Sequence, residues 1–144
     1  GRSIVGDSGY LLTEVILTKE NEGKHFAVVD AAMNDLIRPA LYESWMRIEQ
    51  TKESSAKVEN YDIVGPICET GDFLGKDREL ALEAGDILAI KQAGAYGFVM
   101  SSNYNTRGRA AEVLVDNDQA YLIRERERLE DLFANEKVVS FDEK

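Results

Sequence analysis

Short runs rich in β-branched residues, separated by turn residues at short intervals, dominate this chain of 144 residues. Residues 11–19 and 24–30 flank a polar turn, a pattern that predicts a β-hairpin. Further predicted strands are residues 58–64, 86–92, 111–116 and 119–123, of which the last two flank an Asn-Asp turn. This spacing of strands and turns predicts a mainly β domain over residues 1–144, a barrel or sandwich with a few short helices.

Two segments of the chain carry helix signals. Residues 38–45 contain Pro39 in the first turn of the predicted helix, where its missing N–H costs nothing. Residues 125–134 form a charged amphipathic pattern. Arg and Glu alternate over residues 124–130, which favours a solvated, ion-paired helix face over a nucleic-acid patch. Residues 140–144 are expected to fray.

The charge balance restricts the partners of the chain. The formal net charge is -10, whereas nucleic acids and anionic membrane surfaces bind clustered Lys and Arg. No apolar run approaches the roughly 18 residues of a membrane-spanning helix. One cysteine cannot form an internal disulfide, which fits the cytoplasm. The single cysteine and histidine, Cys68 and His25, lie too far apart in sequence to predict a metal site, and His25 is expected to be a half-buried strand residue.

Cys68 and Glu69 are adjacent in a turn-rich segment, residues 65–72, which also contains one of the two prolines. A free thiol titrates near about 8.5 and can exchange a proton, and a neighbouring carboxylate can bind a cation. The alternative is that Cys68 is a small hydrophobic residue at a strand end and Glu69 is solvated. The local sequence alone favours this second interpretation.

Arg38 and Tyr42 are four residues apart, so a helix would present both on one face. A guanidinium can grip a carboxylate with two hydrogen bonds, and a phenol can add a third, although the pair also fits a surface Arg that packs over a half-buried Tyr. Residues 94–97 (GAYG) either present Tyr96 to a flat ligand or bend a strand by close approach of the backbone. The polar residues 101–105 are expected to organise a loop.

Several stretches, taken in this order, resemble the C-terminal part of the diaminopimelate decarboxylases. This family uses pyridoxal phosphate to make L-lysine from meso-diaminopimelate. The matching stretches are GRSIVGDSG, HFAVVDAAMNDLIRPALYES, VGPICETGDFLGKDREL, GDILAIKQAGAYGFVMSSNYNTR and AEVLVD. Each motif alone is weak, but the combination is specific and favours functional roles for residues whose local sequence is ambiguous.

The resemblance implies one role for each matching site residue. Cys68 resembles the catalytic residue that donates a proton after CO2 leaves, and Glu69 resembles the carboxylate that binds a substrate amino group. Arg2 and Arg38 resemble the anchors of the distal carboxylate, and the implied substrate-binding set is Arg2, Arg38, Tyr42, Glu69 and Tyr96. The implied cofactor-binding residues, near the phosphate of pyridoxal phosphate, are Gly1, Arg2 and Tyr96.

The family combines an N-terminal α/β barrel, which carries the lysine that binds the cofactor, with a C-terminal β domain. Its active site forms at the interface of a homodimer. The chain lacks that barrel, and none of its lysines lies in the family's cofactor-lysine motif. We therefore expect a piece of a longer protein, with residues 1–10 as the end of the barrel or a linker, that is inactive alone. Alternatives are a related ornithine or arginine decarboxylase, or a non-catalytic β module for assembly.

Overall fold

The computed structural model describes residues 1–141, which divide into two units. The first is Gly1–Ser102, and the second begins at Asn103. The first unit contains six strands: β1 (Tyr10–Asn21), β2 (Lys24–Val29), β3 (Ile48–Gln50), β4 (Glu59–Val64), β5 (Phe73–Leu80) and β6 (Ile87–Lys91). Its helices are α1 (Arg2–Val5) and α2 (Arg38–Tyr42), with 3-10 turns at Gly6–Ser8 and Phe98–Met100.

The six strands form one sheet in the order β3-β6-β1-β2-β4-β5. All neighbours are antiparallel except β2 and β4, which are parallel. The predicted hairpin of β1 and β2 is confirmed, and it turns at Glu22 and Gly23, whose φ angles are +51° and +79°. Such a pair of positive φ angles suits the tight turn between twisted strands.

The two edge strands of this sheet, β3 and β5, approach each other and nearly close it into a barrel. The side-chain amide of Gln50 in β3 donates to the carbonyl oxygen of Ala81 at 2.7 Å and accepts from its N–H at 3.0 Å. A Cβ placed on Gly75 in β5 would lie only 2.7 Å from Cδ1 of Ile48. The mainly β, barrel-like fold with few short helices is therefore confirmed.

Aliphatic side chains fill the interior of the barrel. The largest fully buried ones are Leu36, Ile63, Leu74, Leu88, Ile90, Val15 and Val29. They come from five of the strands and from the loop before α2, so the core joins the whole sheet. Three charged side chains, Asp62, Asp72 and Arg78, are also buried. Because burial removes them from water, these groups need partners inside the fold.

The second unit contains the predicted hairpin of β7 (Glu112–Asp116) and β8 (Gln119–Arg124). The predicted helix over residues 125–134 is wrong in extent, because only α3 (Leu129–Leu132) is helical. The carboxylate of Glu127 accepts hydrogen bonds from the backbone N–H of Arg109 and the side chain of Asn103, which holds the segment extended. The alternating charges are therefore not a helix face: Arg124 pairs across the strands with Glu112 at 2.5 Å.

The first unit also departs from the prediction in three places. Helix α2 ends at Tyr42, short of residue 45, because Glu43 adopts a left-handed conformation with φ 51°. Strands β3 and β5 were not predicted. Residues 1–10 form α1, a 3-10 turn and the start of β1, and their assignment to a barrel end or linker stays a prediction. The predicted fraying of residues 140–144 falls mainly on residues outside the described part.

Candidate functional site

The N-terminal segment lies directly on the turn that follows β6. The N–H of Ala93 donates to the carbonyl of Gly9 at 2.9 Å, and the N–H of Gly94 donates to the carbonyl of Gly6 at 3.1 Å. A Cβ on Gly94 would collide with the carbonyl oxygen of Val5, so only glycine fits there. The predicted close backbone approach at residues 94–97 is therefore confirmed.

This turn presents Tyr96 to the start of the chain. Tyr96 has a φ of 60°, and its side chain remains 46% exposed, so it does not pack into the core. Its phenol oxygen lies 3.4 Å from the position that a Cβ of Gly1 would occupy. The residues predicted to contact the cofactor phosphate are thus neighbours, although they come from opposite ends of this unit.

Arg38 lies beside two phenol rings. Its Cζ is 5.7 Å from the centroid of the Tyr42 ring and 5.9 Å from that of Tyr96. Tyr42 is 57% exposed whereas Arg38 is half-buried, the reverse of a surface Arg covering a half-buried Tyr. The predicted pairing of Arg38 and Tyr42 on one face of a helix is confirmed, and Tyr96 joins them from a distant part of the sequence.

A cavity of about 290 Å³ brings the two predicted anchor arginines together. Its lining residues are Arg2, Arg38, Ser44, Trp45, Met46 and Gln92. None of these described lining residues is acidic, so the two guanidinium groups give the cavity a positive potential that suits a carboxylate or phosphate. Sequence reasoning missed the last four lining residues, because neither their residue types nor their spacing indicates a site, although Ser44 and Gln92 lie within the matching stretches.

Trp45 forms one wall of this cavity and stacks on a buried arginine. The Cζ atom of Arg78 lies 4.4 Å from the centroid of the Trp45 ring. Arg78 is 7% exposed, and its Nε has no hydrogen-bond partner among residues 1–141. Burial lowers the pKa of the Arg78 guanidinium from its ordinary value. The contact with the indole face therefore compensates part of the cost of burying this cation.

The turn that carries Cys68 and Glu69 follows β4 and leaves both side chains exposed. Asp72, which is 3% exposed, fixes this turn from inside. Its carboxylate accepts from the N–H of Ile67 at 2.7 Å and from the N–H of Met33 at 2.7 Å. Sequence reasoning missed Asp72, although a turn aspartate that accepts backbone N–H bonds is a recognisable pattern.

The loop before α2 links the Cys68 turn to the arginine cavity. Met33 in this loop is bonded to Asp72, and Asn34 exchanges two hydrogen bonds with Ser102 at 2.9 and 3.2 Å. Arg38 begins the helix four residues after Asn34. The loop is thus held on both sides, and it supports both groups of predicted site residues. Among residues 1–141, Cys68 is not one of the residues that line the arginine cavity.

The chain matches a known family model and named relatives. Residues 4–94 match the model described as "Pyridoxal-dependent decarboxylase, C-terminal sheet domain". The chain belongs to this family.

The matching relatives are all longer proteins. The chain is 62% identical to a diaminopimelate decarboxylase of Pseudomonas aeruginosa, over 96% of this chain and 34% of that protein. It is 55% identical to one from Vibrio cholerae, over 96% of this chain and 33% of that protein. The chain thus spans about a third of the length of the curated relatives that it matches.

Solved structures agree with this assignment. The diaminopimelate decarboxylase of Helicobacter pylori complexed with L-lysine is 45% identical, with a TM-score of 0.87, over 94% of this chain and 33% of that chain. The enzyme from M. jannaschii in co-complex with L-lysine is also 45% identical, with a TM-score of 0.92. This match covers 96% of this chain and 32% of the chain in that structure.

Pyridoxal phosphate is the cofactor of this decarboxylase family. The residues of this chain suit its anionic phosphate end, because two guanidinium groups line the positive cavity and the Tyr96 ring lies beside one of them, Arg38. A lysine that could bind its aldehyde is not among the described lining residues. Lys24, Lys57 and Lys91 pair instead with Asp62, Glu59 and Glu49.

The remaining predictions for this family member concern structural roles. His25 is half-buried in β2, packs edge-on against Tyr61 with ring centroids 5.8 Å apart, and lies 3.5 Å from Glu59, so the prediction of a strand histidine is confirmed. Ser101 organises its loop by donating to the carbonyl of Phe98 at 2.6 Å, as predicted. Residues 1–141 contain no cluster of three His, Cys, Asp or Glu side chains suited to a metal, and no helix long and apolar enough to cross a membrane.

Proposed function

We propose that this chain is the C-terminal part of a diaminopimelate decarboxylase, which converts meso-2,6-diaminopimelate to L-lysine and CO2. The observation that carries the proposal is the shared cavity of Arg2 and Arg38, in a chain whose relatives at 55–62% identity have that name. Diaminopimelate differs from ornithine and arginine in having a second carboxylate. Two guanidinium groups in one cavity are the chemistry that binds such a group.

The distal carboxylate binds to Arg2 and Arg38, and the phenol of Tyr42 contributes a further contact. Because α2 presents Arg38 from a half-buried position, its guanidinium is partly desolvated, which strengthens a hydrogen bond to a carboxylate. A substrate held at this distal end keeps the reacting carbon in one place. Such positioning is a large part of what an enzyme contributes to a decarboxylation.

Cys68 donates a proton to the reacting carbon, and Glu69 binds a substrate amino group. Both roles require a fixed turn, which Asp72 provides through its bonds to Ile67 and Met33. Pyridoxal phosphate, when bound, supplies the electron sink for the electron pair left by CO2. Gly1, Arg2 and Tyr96 hold its phosphate, while the lysine that binds it belongs to an N-terminal α/β barrel.

The proposed enzyme is a cytoplasmic homodimer whose active site is shared between subunits. The exposure of Cys68 and Glu69 supports this arrangement, because both residues lie at the surface of the described part of the chain. We expect this chain alone to be inactive. Adding pyridoxal phosphate to it should give no borohydride-reducible absorbance band, and a stable band of that kind would contradict the assignment of the lysine to another domain.

The decisive experiment replaces Cys68 by Ala in the full-length enzyme, meaning this chain together with its N-terminal barrel. Loss of a proton donor lowers kcat by about 10²- to 10⁴-fold. Thr70→Ala, in the same exposed turn, is the matched control and should retain activity. Unchanged turnover in the Cys68 variant, with an active parent enzyme, would favour a non-catalytic β module for assembly.

A substrate panel tests the choice of amino acid. The full-length enzyme should release CO2 from meso-diaminopimelate and form L-lysine. It should leave ornithine and arginine unchanged at the same concentrations. Consumption of ornithine or arginine without formation of lysine would replace the proposal with a related basic amino-acid decarboxylase.

A further inference from the structure

We propose that Ser44 is a positioning residue that orients the Arg38 guanidinium towards the distal carboxylate of the substrate; this inference rests on the proposed function. The Nη2 atom of Arg38 donates to the hydroxyl oxygen of Ser44 at 3.2 Å. Both side chains line the same cavity. The Ser44 hydroxyl therefore contacts Arg38, the proposed anchor of the distal carboxylate, inside the cavity itself.

The backbone brings Ser44 back to Arg38. Helix α2 ends at Tyr42, and the left-handed conformation of the next residue, Glu43 (φ 51°, ψ 30°), reverses the chain. The N–H groups of Glu43 and Ser44 then both point to the carbonyl oxygen of Arg38, the second at 3.4 Å. These backbone bonds complete the helix end, so the hydroxyl of Ser44 is not needed for capping.

The hydroxyl fixes a guanidinium that is otherwise loosely held. The centroids of Tyr42 and Tyr96 lie 5.7 and 5.9 Å from Cζ of Arg38, near the outer limit for a cation–π contact. Such contacts leave the plane of the guanidinium free to rotate. A hydrogen bond to one Nη group selects one plane, and a two-pronged grip on a carboxylate requires that plane to be fixed.

The test is Ser44→Ala in the full-length enzyme, with two ligands that differ in one group. L-lysine keeps the distal carboxylate of diaminopimelate, because CO2 leaves from the other end, whereas 1,5-diaminopentane has the same chain and amino groups without it. The KM for diaminopimelate should rise by about 10- to 150-fold, the usual contribution of a hydrogen bond to a charged group. The inhibition constant of L-lysine should rise by a similar factor, whereas that of 1,5-diaminopentane should change by less than about 2-fold, because it has no carboxylate for the Arg38 anchor.

Ser44→Thr keeps the hydroxyl and should restore the KM to within about 2-fold of the parent value. Ser54→Ala, in a loop on the other side of β3, is the matched control and should change neither constant. In an Arg38→Lys background, Ser44→Ala should add no further increase in KM, because the two residues act as one unit. A full additional increase in that background would overturn the proposal.

The remaining outcomes separate this inference from the proposed function. If the parent enzyme decarboxylates diaminopimelate and Ser44→Ala leaves its KM unchanged, only the role of Ser44 is refuted. Equal weakening of L-lysine and 1,5-diaminopentane would also refute it, since that result indicates a general structural disturbance. A parent enzyme that does not act on diaminopimelate overturns both proposals. If Ser44→Ala fails to fold, the comparison of Ser44→Thr with Ser44→Cys decides instead, and equal KM values for the two would overturn the proposal.

Discussion

Replacing Asp72 by Asn should loosen the turn that carries Cys68 without unfolding the barrel. The carboxylate of Asp72 is 3% exposed and accepts two backbone N–H bonds, from Ile67 and Met33, each at 2.7 Å. An amide has one oxygen and one NH2 group in place of two equivalent oxygens. Asn can therefore satisfy one of these N–H groups but presents a donor to the other.

The loss amounts to one charge-assisted hydrogen bond and one buried N–H left without a partner. A hydrogen bond to a charged group contributes about 1.5–3 kcal/mol. A change of about 1.36 kcal/mol corresponds to a tenfold change in an equilibrium constant. The equilibrium constant for local opening of the turn should therefore rise about 10- to 150-fold. Asp72→Ala would remove both hydrogen bonds and cost about twice as much free energy. That loss is a sizeable share of the free energy of unfolding of a domain, so Asp72→Asn is the better test.

Hydrogen exchange followed by mass spectrometry measures this opening in the full-length enzyme. Peptides that contain Ile67 and Met33 should exchange about 10- to 150-fold faster in Asp72→Asn, while peptides from the β1–β2 hairpin keep their rates. Asp118→Asn, in the exposed turn of β7 and β8, is the matched control and should change neither region. Unchanged exchange at Ile67 and Met33 would refute the view that this carboxylate holds the turn.

Three further predictions test the contacts that shape each unit. Gly94→Ala should displace the N-terminal segment, because the new Cβ meets the carbonyl of Val5, and should destabilise by about 2–3 kcal/mol in thermal unfolding. Gln50→Ala should lower the urea midpoint by an amount equivalent to about 1–3 kcal/mol, because the peptide group of Ala81 loses both partners. The N–H of Arg109, then Asn103 and the Arg109 guanidinium, hold the pKa of Glu127 below its ordinary value of 4.5. The stability from ionised Glu127 is complete above pH 4.5 and is lost as pH falls through the lowered pKa, so Glu127→Gln should abolish the loss of Arg109 amide protection on acidification.

Each of these variants has a control of the same chemistry. Gly23→Ala faces open space at φ 79° and should cost only the strain of a left-handed alanine, about 1–2 kcal/mol. Gln119→Ala and Glu125→Gln change exposed side chains and should leave the urea midpoint and the acid response unchanged. A Gly94 variant as stable as the parent, a Gln50 variant with an unchanged midpoint, or a Glu127 variant that keeps its acid response would each contradict the corresponding contact.

The strands that could be predicted are those whose residues repeat a local pattern. The hairpin of β1 and β2 consists of β-branched runs around a polar turn, and its register follows from that turn. Strand β5 could not be predicted, because its buried and exposed positions do not alternate regularly. Asp77 has a φ of 55° within it, and Arg78 is buried where an apolar residue would be expected. Tertiary contacts with Asp62 and Trp45 decide that strand.

The helix predicted over residues 125–134 shows the opposite error. Its charged and apolar residues repeat at helical spacing, which favours a helix in isolation. In the structure, Glu127 accepts hydrogen bonds from the distant Asn103 and Arg109, and this network holds residues 125–128 extended. A side chain that bonds the backbone of a residue 18 positions away leaves no local signal. The sequence pattern therefore could not reveal that the helix begins only at Leu129.

The candidate site shows where a local pattern stops being informative. The spacing of Arg38 and Tyr42 predicted their pairing, but the cavity also needs Arg2 and Tyr96, which the close approach of the N-terminal segment to the turn after β6 supplies. The family resemblance identified these residues without explaining their proximity. Hydrogen bonds between backbone groups more than 80 residues apart provide the explanation.

Residues 31–44 support both halves of the proposed active site, and this has a measurable consequence. Asp72 bonds to Met33 at one end of this segment, whereas Arg38 and Ser44 lie at the other. Loosening at Asp72 should therefore disturb both proton donation by Cys68 and carboxylate binding by Arg38, lowering kcat and raising KM together. Removal of the Ser44 hydroxyl affects only the Arg38 end of this segment and leaves the Cys68 turn in place. It should therefore raise KM without lowering kcat. A fall in kcat with no change in KM in Asp72→Asn would mean that Asn34 and its bonds to Ser102 hold the segment independently of the Cys68 turn.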